Sequence, residues 1–212
     1  MRWVAIGLLV GIMWICVPVA LGAEGPTFDC AKAKGTVEET ICGDEYLSAL
    51  DGQLDELFKK ALEAAGDDSQ KLLRTEQRGW IKGRDECWKA TGEDSPIFFT
   101  ESWKTVDVRN CVKTSYVFRI SELQVTYGFA HSRGPFSYAC EEDSAGGIDA
   151  TFFKTDPPTV LLERESKKVI AWMVTTGSGS RYEGQNVTFW AKGAEASVTW
   201  FDVELRCMIP SK

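Results

Sequence analysis

The sequence predicts an α+β protein in separate domains: a disulfide-bonded helical bundle followed by a small antiparallel β-barrel. Three observations carry this. Apolar residues recur at steps of three and four through much of the stretch from Asp44 to Thr126, the period of a helix with one buried face. After Phe136 the pattern changes to short alternating runs separated by Gly and Pro, the mark of closely spaced strands. The cysteines beyond the N-terminal apolar segment fall four before that change and two after it.

That N-terminal segment, Met1 to Ala23, has the form of a secretory signal peptide. Arg2 supplies the positive start, an apolar run extends from Trp3 to Leu21, and Ala20, Gly22 and Ala23 are the small residues a signal peptidase needs. Cleavage is expected after Gly22 or Ala23. The run is long enough for a membrane anchor, but Pro18 interrupts it. Cys16 follows Met13-Trp14-Ile15 and lacks the small residue expected before a lipidated cysteine, so a lipid anchor is not expected. The mature chain is then Glu24 to Lys212, exported to the periplasm with no membrane span. Hydrophobic residues make up 44% of the sequence, enough to build a core. Losing Arg2, the one charge in the leader, takes the formal charge from -7 to -8. An acidic chain argues against nucleic acid and anionic lipid as partners and suits a basic protein, although moderate acidity also serves solubility alone.

The helical domain is expected over residues 24–126. Thr36 with Glu39 has the form of a capping box for a short helix ending near Cys42. Asp44 is the expected N-cap of a longer helix to about Ala65, with Leu47, Leu50, Leu54, Leu57, Phe58 and Ala61 as its stripe. After Gly66, Asp68 or Ser69 opens a third helix that carries Leu73, Trp80 and Cys87 at intervals of seven. Thr91 to Ser102, with Gly92 and Pro96, reads as a loop. The last helix spans about Thr105 to Thr126, with Cys111 and Phe118 on one face. Trp80 is read as core, and Gln77, Arg78, Arg84 and Asp85 as solvated or paired within the helix surface. Tyr127 to Pro135 is the expected linker and holds the one histidine, His131, without a partner motif.

From Phe136 to Lys212 the reading gives runs of strand at Phe136–Cys140, Ile148–Phe153, Thr159–Glu163, Val169–Val174, Tyr182–Trp190 and Ala196–Met208, a small antiparallel barrel. With one histidine and no CxxC pair, the cysteines read as disulfides and not as a metal site, and no cofactor is expected. Six cysteines allow many pairings. If no bridge crosses between the domains, Cys140 pairs with Cys207, and closing so long a loop contributes about 4 kcal/mol in the chain-entropy account. Cys30–Cys42 and Cys87–Cys111 are the favoured pairs of the first domain. Asn186-Val187-Thr188 is a glycosylation sequon.

The stretch from Val174 to Val198 carries the candidate site. It reads as two strands and a short loop that present Ser178 and Lys192, with turns at Gly177, Gly179, Gly184 and Gly193. Taken singly, a lysine in a hairpin is usually a solubilising charge and a serine among glycines usually a turn residue. Ser178-Gly179-Ser180-Arg181-Tyr182 followed by Trp190-Ala191-Lys192-Gly193-Ala194-Glu195-Ala196 resembles the signature of the MliC/PliC family, envelope inhibitors of C-type lysozyme. The resemblance spans Phe136 to Ile209 and implies an eight-stranded barrel. It also implies that Ser178 and Lys192 enter the lysozyme cleft; Gly179, Arg181 and Tyr182 complete the expected lysozyme-binding set, Arg181 at the rim and Tyr182 positioning the loop. Thr175-Thr176-Gly177 departs from the small polar residues usual before that serine.

The helical part carries a second resemblance. Phe28-Asp29-Cys30, Glu38 to Cys42, Glu76-Gln77-Arg78-Gly79-Trp80 and Arg84-Asp85-Glu86-Cys87 look like the N-terminal domain of the LprI family, also associated with lysozyme inhibition. Together the two imply a bacterial inhibitor of C-type lysozyme that protects peptidoglycan. In a bacterial protein the sequon is read as accidental. A scaffold or envelope-binding module with no inhibitory role is the alternative. An enzyme is not expected, because one linker histidine supplies no Ser/His/Asp arrangement and no carboxylate pair can be placed in a pocket.

Overall fold

A computed structural model describes residues 25–92, 107–141 and 146–210. The expected signal peptide with Cys16, and nearly all of the loop expected over Thr91 to Ser102, lie outside the described residues. Four helices come first: α1 (Thr36–Gly43), α2 (Glu45–Ala64), α3 (Asp67–Asp85) and α4 (Val108–Thr126). Eight strands follow: β1 (Ser132–Cys140), β2 (Ile148–Phe153), β3 (Thr159–Arg164), β4 (Lys167–Val174), β5 (Ser180–Gly184), β6 (Val187–Lys192), β7 (Glu195–Trp200) and β8 (Val203–Met208). No helix among the described residues is long and apolar enough to cross a membrane.

Local chemistry sets the helix ends. Asp44 caps α2, its side chain accepting from the Leu47 amide at 3.0 Å. The same carboxylate accepts from Arg109 Nε at 2.5 Å, so it ties the start of α2 to the start of α4. The Arg109 hydrogen bond, then the Leu47 amide, hold the Asp44 carboxyl below its ordinary range. The capping box expected at Thr36 and Glu39 is corrected. Gly35 is the N-cap, with no side-chain cap bond, and Thr36 is already helical. Glu38 is the acid that reaches back, accepting from the Lys34 amide at 2.6 Å.

α4 runs through the middle of the helical part, buried along most of its length, against the α2 stripe Leu47, Leu50, Leu54 and Ala61 and against Leu73 and Cys87. Disulfides Cys30–Cys42 and Cys87–Cys111 fasten the first turn to α1 and the end of α3 to α4. The surface reading of Arg84 is also corrected. It is 7% exposed and donates to Tyr116 Oη at 2.9 Å and to Asp85 at 2.7 Å, with Asp51 at 3.8 Å. Tyr116 in turn donates to Asp51 at 2.7 Å, and Asp51 also accepts from the Thr27 amide and hydroxyl. The guanidinium lies over the Trp80 ring, 5.6 Å from its centre. A heptad step from Trp80 gives no hint of a cation buried between two helices. Gln77 likewise faces inward, accepting from the buried Arg119 at 3.1 Å.

The strands form a closed antiparallel barrel in the order β1 to β8. β1 pairs with β8 through Ala139↔Met208 and Cys140↔Cys207, and the Cys140–Cys207 disulfide staples that seam. Tyr138, Ile148, Val160, Leu162, Phe189 and Val198 fill the interior. Two runs that read as single strands are each two. Tyr182–Trp190 breaks at Gln185-Asn186, with Asn186 at φ 57, and Ala196–Met208 breaks at Phe201-Asp202, with Phe201 at φ 56. Asn is a favoured left-handed residue, whereas Phe gives no turn signal. β1 also begins at Ser132, inside the stretch expected as linker, and His131 is exposed, its carbonyl accepting from the Lys154 amide.

An aromatic contact joins the helices to the barrel. Trp172 of β4 stacks on Phe118 of α4 with ring centres 4.0 Å apart, and its indole N–H donates to Ser121 Oγ at 2.7 Å.

Candidate functional site

Ser178 lies in the loop between β4 and β5, and Lys192 is the last residue of β6. The β5–β6 hairpin turns at Gln185-Asn186, so both residues sit at its opposite, open end. There Ser180 pairs with Ala191, which brings the preceding Ser178 beside the following Lys192. The stretch from Val174 to Val198 therefore presents the two residues from the ends of a hairpin and not from its turn. Both are exposed. They line one groove of about 550 Å³, with Glu141, Trp190, Glu195, Ser197, Arg206 and Met208 among its other walls.

Two features hold the loop. The Trp190 indole N–H donates to the Ser178 carbonyl at 2.9 Å, clamping the loop to β6. Gly179 takes φ +69, and a Cβ there would stand 2.5 Å from the Ala191 carbonyl oxygen. Only glycine allows both that conformation and that approach. Gly177, the residue that departs from the family pattern, has open space around it and no such requirement.

The other expected binding residues separate. Tyr182 points into the barrel against Phe152 and Phe189, and burial pushes its hydroxyl pKa up. It supports β5 from inside and has no surface to offer a partner. Arg181 faces outward and pairs with the buried Glu183 at 3.0 Å. It lines a neighbouring hollow between α4 and the barrel, where Phe118 and Trp172 also lie, and not the groove of Ser178 and Lys192. Sequence reasoning missed the groove's far wall, Arg206 and Met208. The signal was the alternation of β8, legible only once its register against β7 is known.

Chemically, the open end of the hairpin offers a hydroxyl, which can donate and accept, next to an ammonium with three donors. Among the described residues neither Lys192 nor Arg206 makes an ion pair. Such a surface is complementary to anionic oxygens on a partner. Among the described residues no group of His, Cys, Asp or Glu is placed to hold a metal ion.

Residues 138–206 match the family model described as MliC, membrane-bound lysozyme-inhibitor of c-type lysozyme. Residues 30–123 match the model of LprI, lysozyme inhibitor LprI. The chain is thus similar to LprI over its helical part and to MliC over its barrel. Ser178, Lys192 and the groove residues from Glu141 to Arg206 fall inside the MliC match, and the disulfides Cys30–Cys42 and Cys87–Cys111 inside the LprI match. The chain is also 24% identical, over 98% of both chains, to the lipoprotein LprI of Mycobacterium bovis and to that of Mycobacterium tuberculosis. Both family models are of lysozyme inhibitors, which supports lysozyme inhibition in general terms.

Proposed function

We propose that this chain inhibits c-type lysozyme by seating Lys192 and Ser178 in the enzyme's active-site cleft, so protecting bacterial peptidoglycan. The observation that carries the reading is the meeting of the two motif residues on one exposed groove, with the loop held by Trp190 and Gly179. Lysozyme works with two carboxylates of separated pKa in a cleft. The Lys192 ammonium neutralises charge there and donates hydrogen bonds, while the Ser178 hydroxyl bonds beside it. Gly179 lets the loop approach β6, Tyr182 supports the strand from within, and Arg181 stays in the adjoining hollow. The formal charge, -7 for the whole sequence and -8 once Arg2 leaves with the leader, favours encounter with a basic enzyme.

In this reading the chain is a binder and not a catalyst. It is exported to the periplasm by the leader over Met1–Ala23 without a lipid anchor at Cys16, although its mycobacterial relatives are named lipoproteins. The helical part and the barrel, which begins with β1 at Ser132, are its two domains. The test is a titration of c-type lysozyme activity with residues 24–212, beside the Ser178→Ala/Lys192→Ala double variant. A desolvated lysine against carboxylates contributes roughly 2–5 kcal/mol on truncation, so the variant loses inhibition. Equal inhibition by both proteins moves the active surface away from this groove.

A further inference from the structure

The groove continues past Lys192, across the outer face of the barrel. Cross-strand register aligns Trp190, Ser197 and Arg206 in one row over β6, β7 and β8, and Lys192, Glu195 and Met208 in the next. Directly opposed residues point to the same face. The two rows therefore form one surface with two cations, Lys192 and Arg206, neither engaged in an ion pair among the described residues.

Its apolar part is exposed. Trp190 is 40% exposed and Met208 53% exposed. The Trp190 ring is fixed by its hydrogen bond to Ser178, so it presents a flat face at little conformational cost on binding. An exposed, held tryptophan beside an unpaired arginine has the composition of an interface hot spot. One arginine on a strand is usually only a solubilising charge. What separates Arg206 from that case is its place on the same groove wall as Lys192, with Trp190 and Met208 beside it.

We propose that Arg206 is a second anchor for the same target, taking a carboxylate at the rim of the cleft while Trp190 and Met208 cover an apolar shoulder next to it. This rests on the reading of the chain as a lysozyme inhibitor. Two strand spacings and one two-residue step put Arg206 about 12 Å from Lys192 between Cα atoms. That separation leaves room for it to take a different carboxylate from the pair that faces Lys192. A guanidinium suits the task because its fork takes a carboxylate through two parallel hydrogen bonds, which an ammonium cannot do.

The test measures affinity and dissociation rate of residues 24–212 on a c-type lysozyme for the parent, Arg206→Ala, Arg206→Lys and Lys192→Ala. Arg206 is exposed, so its variants are expected to keep the parent melting temperature. Arg206→Ala is expected to bind about tenfold more weakly or worse, mainly through faster dissociation. Arg206→Lys, which keeps the charge, is expected to remain about threefold weaker than the parent. Parent-like binding by Arg206→Ala beside a Lys192→Ala variant that has lost binding overturns the Arg206 assignment alone. Loss at Arg206 with none at Lys192 keeps the anchor and overturns the cleft reading. A parent that binds no c-type lysozyme overturns both.

Discussion

Replacing Gly179 by alanine tests whether the loop conformation, and not only the side chains it carries, makes the inhibitor. Two costs follow from the structure. At φ +69 an alanine sits in the left-handed region, at about 1–2 kcal/mol. Its Cβ would also lie 2.5 Å from the Ala191 carbonyl oxygen and 3.2 Å from Trp190 Nε1, so the loop must withdraw from β6. Withdrawal breaks the bond from Trp190 to the Ser178 carbonyl, about 1 kcal/mol more. The sum, roughly 2–3 kcal/mol, lowers the melting temperature by about 5–10 °C in a chain of this size. Ser178 is displaced from Lys192 at the same time, so inhibition falls. Thermal unfolding followed by circular dichroism, with lysozyme inhibition on the same sample, measures both. Gly177→Ala is the control: nothing lies within 4 Å of its Cβ position, and parent-like behaviour is expected to within about 0.5 kcal/mol. A Gly179→Ala protein with parent stability and parent inhibition refutes the argument.

Further outcomes follow from other contacts. Trp172→Ala removes the stacking on Phe118 and the bond to Ser121, about 2 kcal/mol of helix–barrel contact; faster proteolysis near residues 127–131 and a wider small-angle scattering profile are expected, and an unchanged profile contradicts it. Asp51→Ala leaves Tyr116 and Thr27 without their acceptor and takes from Arg84 the nearby Asp51 carboxylate, leaving it Asp85 and the Tyr116 hydroxyl, and is expected to cost about 3 kcal/mol or more in urea unfolding. Burial raises the hydroxyl pKa of Tyr138 and Tyr182, so the folded state holds these protons more tightly than the unfolded state does. That contribution is complete below the ordinary value of 10.0 and is lost as pH rises through the folded values, so the barrel is expected to weaken only above about pH 10. Tyrosinate absorbance rising together with the unfolding signal is the check. Serine at both Cys140 and Cys207 opens a link spanning 67 residues and is expected to cost about 4 kcal/mol.

Much of this was legible in the residues. The helical stripe of α2, its Asp44 cap and the switch to strands after the helices all follow from period and cap chemistry. The barrel's strand count did not follow from alternation alone, because Gln185-Asn186 and Phe201-Asp202 lie inside stretches that read as single strands, and the second turn uses a phenylalanine at positive φ. Ser178 and Lys192 could be named from their motifs, but their meeting depends on the β5–β6 register, which puts Ser180 opposite Ala191. Arg84 and Arg206 show the same limit from two sides. One arginine is buried over Trp80 against Tyr116, and the other stands exposed on a groove wall. Only long-range packing distinguishes them.

The central claim is that the chain occupies the catalytic cleft of lysozyme. The most direct test is to measure its affinity for a c-type lysozyme with the cleft empty and with the cleft saturated by a non-hydrolysed chitin oligosaccharide. The account predicts mutual exclusion, the apparent affinity falling in proportion to the occupancy of the cleft, with Lys192→Ala binding weakly under both conditions. Equal affinity for the empty and the saturated enzyme contradicts it.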